Sequence, residues 1–158
     1  MSVPVPNPDD LRRMLSMMYS GLSVTEGSPV PVEDGKCVVA IYLCDDDTPI
    51  GAAVTDFPFA AYTGAALTRI PPGGAEDAAE SGDLGESILE NVHEVFNICS
   101  RLLMSHDSPH LRLGPVYTSL ADVPENEAAI LHNPVSRSDL EVDVPNYGSG
   151  TISFIGGA

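Results

Sequence analysis

The residues best suited to chemistry are Glu90, Glu94 and Asn97, spaced Glu-x-x-x-Glu-x-x-Asn. Carboxylates accept hydrogen bonds and pair with cations, while a carboxamide both donates and accepts. At positions i, i+4 and i+7 of a helix the three share one face. An acid and a carboxamide one turn apart can therefore meet the same partner. A second motif overlaps them. Glu90-x-x-His93 is half of the pattern that binds metals in helical bundles, but a di-iron carboxylate site needs two such motifs and two further Glu. Only one is present, and His106, His110 and His132 show no ligand spacing. No metal ligand and no cofactor site is assigned to this chain.

The stretch from Ser81 to Asp107 must position these residues, and it reads as one long amphipathic helix. Asp83 and Glu86 have the spacing of an N-terminal capping pair. Leu84, Ile88, Val92, Val95, Cys99 and Leu102 recur at helical spacing, widened by Leu89, Phe96 and Leu103. The opposite side carries Glu86, Glu90, Glu94, Asn97 and Arg101, within an arc of roughly 80° at about 100° per residue. Most polar stripes of this kind are solvated faces, and Glu-x-x-Asn alone occurs by chance on many helices.

Around this helix the pattern is α+β. Asn7-Pro8-Asp9-Asp10 opens a first helix with Leu11, Met14, Leu15, Met18 and Leu22 on its apolar face; its methionines read as core packing. Residues 23–32 are extended, with Pro29 and Pro31 suggesting an edge. Cys37 to Cys44 and Ile50 to Thr55 flank the acidic turn Asp45-Asp46-Asp47-Thr48-Pro49 as a hairpin. That turn lacks the alternating ligands, glycine and distal Glu of a calcium loop. Residues 56–70 read as a short helix, and residues 71–82 as a polar Pro/Gly-rich loop. Residues 111–120 read as a strand, residues 127–132 as another, and residues 140–144 and 151–155 as a second hairpin. The expected architecture is a single domain over residues 1–158, an antiparallel sheet packed with long α-helices.

Composition narrows the function. The chain has 158 residues, 43% of them hydrophobic, enough to bury a core. Its net charge of −16 repels phosphate backbones and anionic membrane surfaces, so neither nucleic acid nor membrane is an expected partner. The opening MSVPVPNPDD has no basic segment and no apolar core of a signal peptide. No run is long enough to span a bilayer, and the expected location is the cytoplasm. Cys37, Cys44 and Cys99 read as free thiols. Nucleophile elbows, Walker phosphate loops and dinucleotide fingerprints are absent.

The stripe resembles the Asp/Ser-x-x-x-Glu-x-x-Asn signature of the CheC/CheX/FliY phosphatases. Asn97-Ile98-Cys99-Ser100 is similar to the family's Asn followed by aliphatic and small residues, and Leu113-Gly114-Pro115-Val116 to the strand after its motif helix. The order of elements resembles the CheC/CheX pattern over most of the chain. Glu90 stands where the family has Asp or Ser, Phe96 where a small residue commonly precedes the Asn, and Arg101 where Gly often follows. The resemblance implies a CheC/CheX-like fold acting on a phosphorylated CheY-like receiver domain, whose own site holds the phospho-aspartate and Mg2+. It implies that Asn97 orients the attacking water and Glu94 pairs with the receiver's lysine. Glu90 and Arg101 would support partner binding, and a homodimer is compatible with it. Some relatives use this fold only for binding, and a non-catalytic flagellar-switch-like module is the alternative.

Overall fold

A computed structural model describes residues 3–157. Helix α1 (Pro8–Leu15) opens on a reciprocal cap: Asn7 Oδ1 accepts from the Asp10 N–H at 2.8 Å, and Asp10 Oδ2 accepts from the Asn7 N–H at 3.0 Å. Strands β1 (Ser23–Glu26), β2 (Cys37–Leu43) and β3 (Pro49–Asp56) follow, then helices α2 (Phe57–Leu67), α3 (Pro72–Ser81) and α4 (Gly85–Cys99). Helix α4 runs into a 3-10 turn, Ser100–Leu103. Strand β4 (Arg112–Tyr117), helix α5 (Glu125–His132) and the hairpin of β5 (Ser136–Val144) and β6 (Gly148–Gly156) complete the chain.

The strands form one antiparallel sheet in the order β1-β5-β6-β3-β2-β4. Alternation along β2 sends Val38, Ala40 and Tyr42 to one face and Cys37, Val39 and Ile41 to the other. The first face also takes Leu140, Val142, Ile152 and Phe154 and is packed by helices α1 to α4. On the second face, α5 supplies Leu131 and Ile130. With both faces covered, β2 and β3 are buried almost end to end. The outermost strands are the short β1 and β4. In β4, Gly114 and Pro115 sit opposite Ile41 alone, since Ala40 pairs with Val116 and Tyr42 with Leu113. That is a bulge, and a Cβ at Gly114 would lie 2.8 Å from Leu43 Cγ.

Helix α4 lies against α2 at Gly64. A Cβ there would come within 2.8 Å of the Ile88 carbonyl oxygen and 2.9 Å of methyl carbons of Ile88 and Val92. Helix α2 begins at Asp56, whose Oδ1 accepts from the Phe59 N–H at 2.8 Å and the Thr151 N–H at 3.1 Å, tying the helix start to β6. No described helix is long and apolar enough to cross a membrane.

Three expectations are corrected. Residues 71–82 are not a loop, because Pro72–Ser81 is helical. Proline suits its first turn, Ala75 and Ala78 are buried, and Gly82 in the left-handed region (φ 77°) ends it. The motif helix is shorter than Ser81–Asp107. Its N-cap is Leu84 without a side-chain bond, while Asp83 Oδ1 accepts from the Gly85 N–H at 3.2 Å instead of closing a box with Glu86. Residues 127–132 belong to helix α5 rather than a strand: Pro124 precedes it, acids fill its first turn, and Glu127 and Leu131, four apart, are buried on one side.

Two measurements follow from this packing. Gly64→Ala is expected to lower unfolding free energy by about 1–2 kcal/mol in urea titration, since overpacking against a backbone carbonyl outweighs the helix-propensity gain. Burial pushes the Asp56 carboxyl above its ordinary range, against the two N–H donors, and Glu141 adds to the rise. The folded chain therefore holds this proton to higher pH than the unfolded chain. Stability from the neutral form is lost as pH rises from the ordinary carboxylate value through the raised one. Asp56→Asn keeps the acceptor and removes the titration, so it should gain on wild type when urea unfolding is repeated from about pH 3 to about pH 7.

Candidate functional site

On α4 the sequence periodicity becomes a two-sided helix. Ile88, Val92, Val95, Phe96 and Cys99 are buried, while Glu86, Glu90, His93, Glu94 and Asn97 are exposed, with Arg101 exposed on the turn beyond. The side chains of Glu90, Glu94, Asn97 and Arg101 make no hydrogen bond or ion pair with any described residue. Glu94 and Asn97, three apart, are surface neighbours with Cβ atoms roughly 5–6 Å apart.

Buried polar contacts hold this face in place. Tyr42, wholly buried in β2, donates its hydroxyl to the Phe96 carbonyl at 2.7 Å. Asn91, beside Glu90 at the flank of the apolar stripe, donates through Nδ2 to the Gly64 carbonyl and to Thr68 Oγ1, each at 2.8 Å. Ser100 Oγ donates to the Asn97 carbonyl at 2.6 Å where the helix tightens. Burial pushes the Tyr42 hydroxyl well above its usual value and the Cys99 thiol up to about 12, so both stay neutral behind the helix. Asn91 was not among the sequence-derived site residues. Its signal was a carboxamide at the boundary between the two faces, where a side chain reaches a neighbouring helix rather than solvent.

The stripe is divided between two depressions. Glu90 and Glu94, with Asn91 and His93, border an open hollow of about 530 Å³. Arg101 borders a separate groove of about 480 Å³ against α1. Asn97 stands between them. Phe96, large where the resembling signature is small, is fully buried and leaves the surface around Asn97 clear. Arg101 is on the exposed side, a cation one turn beyond Asn97. Among the described residues, no group of three or more His, Cys, Asp or Glu is arranged to hold a metal ion.

No protein-family model matches the chain, and no curated protein matches it by sequence. Solved structures do. FliY of Thermotoga maritima superposes with a TM-score of 0.55 at 16% identity, covering 92% of this chain and 82% of that one. This chain has the CheC/CheX/FliY-like fold. A chain of the FliM–SpeE complex of H. pylori gives 0.54 at 10% identity, over 95% of this chain and 81% of that chain. The CheX–CheY–BeF3–Mg complex of Borrelia burgdorferi is a looser match, with a TM-score of 0.43 at 10% identity over 94% of this chain and 93% of that one. At these identities the CheC/CheX/FliY likeness is one of fold, the α+β antiparallel sheet with helices expected from the sequence.

Asn91→Ala is expected to lower unfolding free energy by about 1–2 kcal/mol, because it leaves the Gly64 carbonyl without its donor. Guanidinium or urea unfolding measures this directly.

Proposed function

We propose that this protein acts on a phosphorylated CheY-like receiver domain, with Asn97 and Glu94 as the working pair. The observation that carries the reading is that both side chains stand exposed and unengaged on a helix whose other side is fixed in the core. The CheC/CheX/FliY-like fold supports it. In the receiver's site the Asn97 carboxamide would hold a water in line with phosphorus. The water oxygen forms the new bond to phosphorus as the bond to the aspartyl oxygen breaks, and inorganic phosphate leaves. Glu94 would pair with a lysine of the receiver, and Glu90 would support that pairing one turn away. Mg2+ belongs to the receiver, and this chain supplies no ligand to it. Such catalysis is positioning and electrostatics rather than covalent chemistry.

A second reading is favoured by Arg101. A cation one turn from Asn97 repels a lysine directed at Glu94, which suits a module that binds a partner without hydrolysing it. The FliM–SpeE structure of similar fold is by its name a protein–protein complex.

Single-turnover phosphate release from a panel of phosphorylated receivers separates the two. Asn97→Ala is expected to slow release about a hundredfold with receiver binding nearly intact. Glu94→Ala is expected to weaken binding as well. A wild-type chain that binds a receiver without accelerating release leaves the binding module in place and removes the phosphatase.

A further inference from the structure

The groove beside Arg101 lies between α1 and the 3-10 turn that ends the motif helix. Met14 and Met17 line it on the α1 side, and Leu102 and Met104 on the other. Met17 is 70% exposed, one of two large hydrophobic side chains left open among the described residues. The α1 methionines, expected in the core from sequence, therefore open partly onto this surface. Thioether side chains are flexible and polarisable, and suit a surface that adapts to an apolar partner.

Charge identifies what kind of partner. The chain has seven Lys and Arg against 23 Asp and Glu. Arg12, Arg13, Lys36, Arg112 and Arg137 each have an acidic partner within the chain. Among the described residues Arg69 and Arg101 have none, although acids outnumber bases more than threefold, and of these two Arg101 borders the groove. Asp10, on the groove wall, is held by Arg13 Nη2 at 3.0 Å and by its role in the α1 cap. The free charge at the groove is thus positive and calls for a carboxylate from outside.

Backbone chemistry identifies the shape. The groove is walled by α1, by the 3-10 turn with Met104, and by the extended Pro4–Val5 segment; no strand of the sheet borders it, and Pro4 has no N–H to offer an extended peptide. An occupant must satisfy its own N–H and C=O groups, as a helix does. We propose that this groove docks an amphipathic helix of a protein partner, with its apolar face on the methionines and a carboxylate on Arg101. The inference needs only the groove and does not depend on phosphoryl chemistry at Asn97.

The test is a helix-constrained phage-displayed peptide library panned on the full chain. Selected peptides are then titrated by fluorescence anisotropy. The expected peptides carry apolar residues at helical spacing and an acid. Arg101→Glu should weaken them at least tenfold, and exchanging the peptide's acid for Lys should recover binding to that variant. Met17→Glu should abolish binding, whereas Asn97→Ala should leave it unchanged. Both groove positions are exposed, and circular dichroism melts check the fold; Arg101→Gln replaces Arg101→Glu should the latter melt early. Failure to select any peptide overturns the proposal, as does selection of basic peptides or of peptides indifferent to Met17 and Arg101. Concentration-dependent self-association that Met17→Glu abolishes also overturns it, since the occupant would then be a second copy of the chain.

Discussion

Gly64 lets α2 and α4 meet at backbone distance, and the placement of every side chain on α4 follows from that approach. A helix resting on methyl groups alone can slide. Here the absent side chain brings the Gly64 carbonyl within reach of Asn91, and the contact gains direction as well as area. Tyr42 then fixes the same helix to the sheet from below through the Phe96 carbonyl. Glu94 lies between these fastenings in sequence and Asn97 directly follows the second, so their exposed side chains project from an anchored backbone.

Much of this was legible in the sequence because it is periodic. The two faces of α4, the β2–β3 hairpin, the capped starts of α1 and α2 and the final hairpin each rest on a repeat of 3.6 or 2 or on a capping residue. The errors fell where local composition and tertiary burial disagree. Pro71 to Gly82 has the glycines, prolines and charges of a loop, yet Ala75 and Ala78, three apart and buried, give it an apolar side to lay on the core as a helix. Ile130 and Leu131 look like part of a strand until Glu127 is seen buried one turn earlier, its carboxylate accepting from the Tyr117 hydroxyl at 2.6 Å. Asn91 could be flagged as polar on a helix, but its partners lie 27 and 23 residues away and have no local signature.

The candidate site was legible to a similar degree. Helical phase placed Glu90, Glu94, Asn97 and Arg101 together on the exposed side, and they are there. Phase did not reveal that they border two different hollows. It did place Phe96 in the apolar stripe and Arg101 on the polar side, and there they are. The division into two hollows depends on where the helix tightens into its 3-10 turn and on what α1 leaves uncovered. The strong negative charge is similarly two-sided: it argues against nucleic acid as a whole-molecule property, while the local exception at Arg101 carries the information about a partner.

The bulge in β4 has a consequence for how the molecule behaves in a crowded solution. A sheet grows when a free edge offers a regular row of donors and acceptors to another chain. At this edge Gly114 and Pro115 break the row, and Pro115 has no N–H to offer. At the far edge β1 is only four residues long and ends in Glu26. Neither side gives an incoming strand a template of useful length. The sheet is in this sense finished, and the surfaces open to specific association are the helical ones.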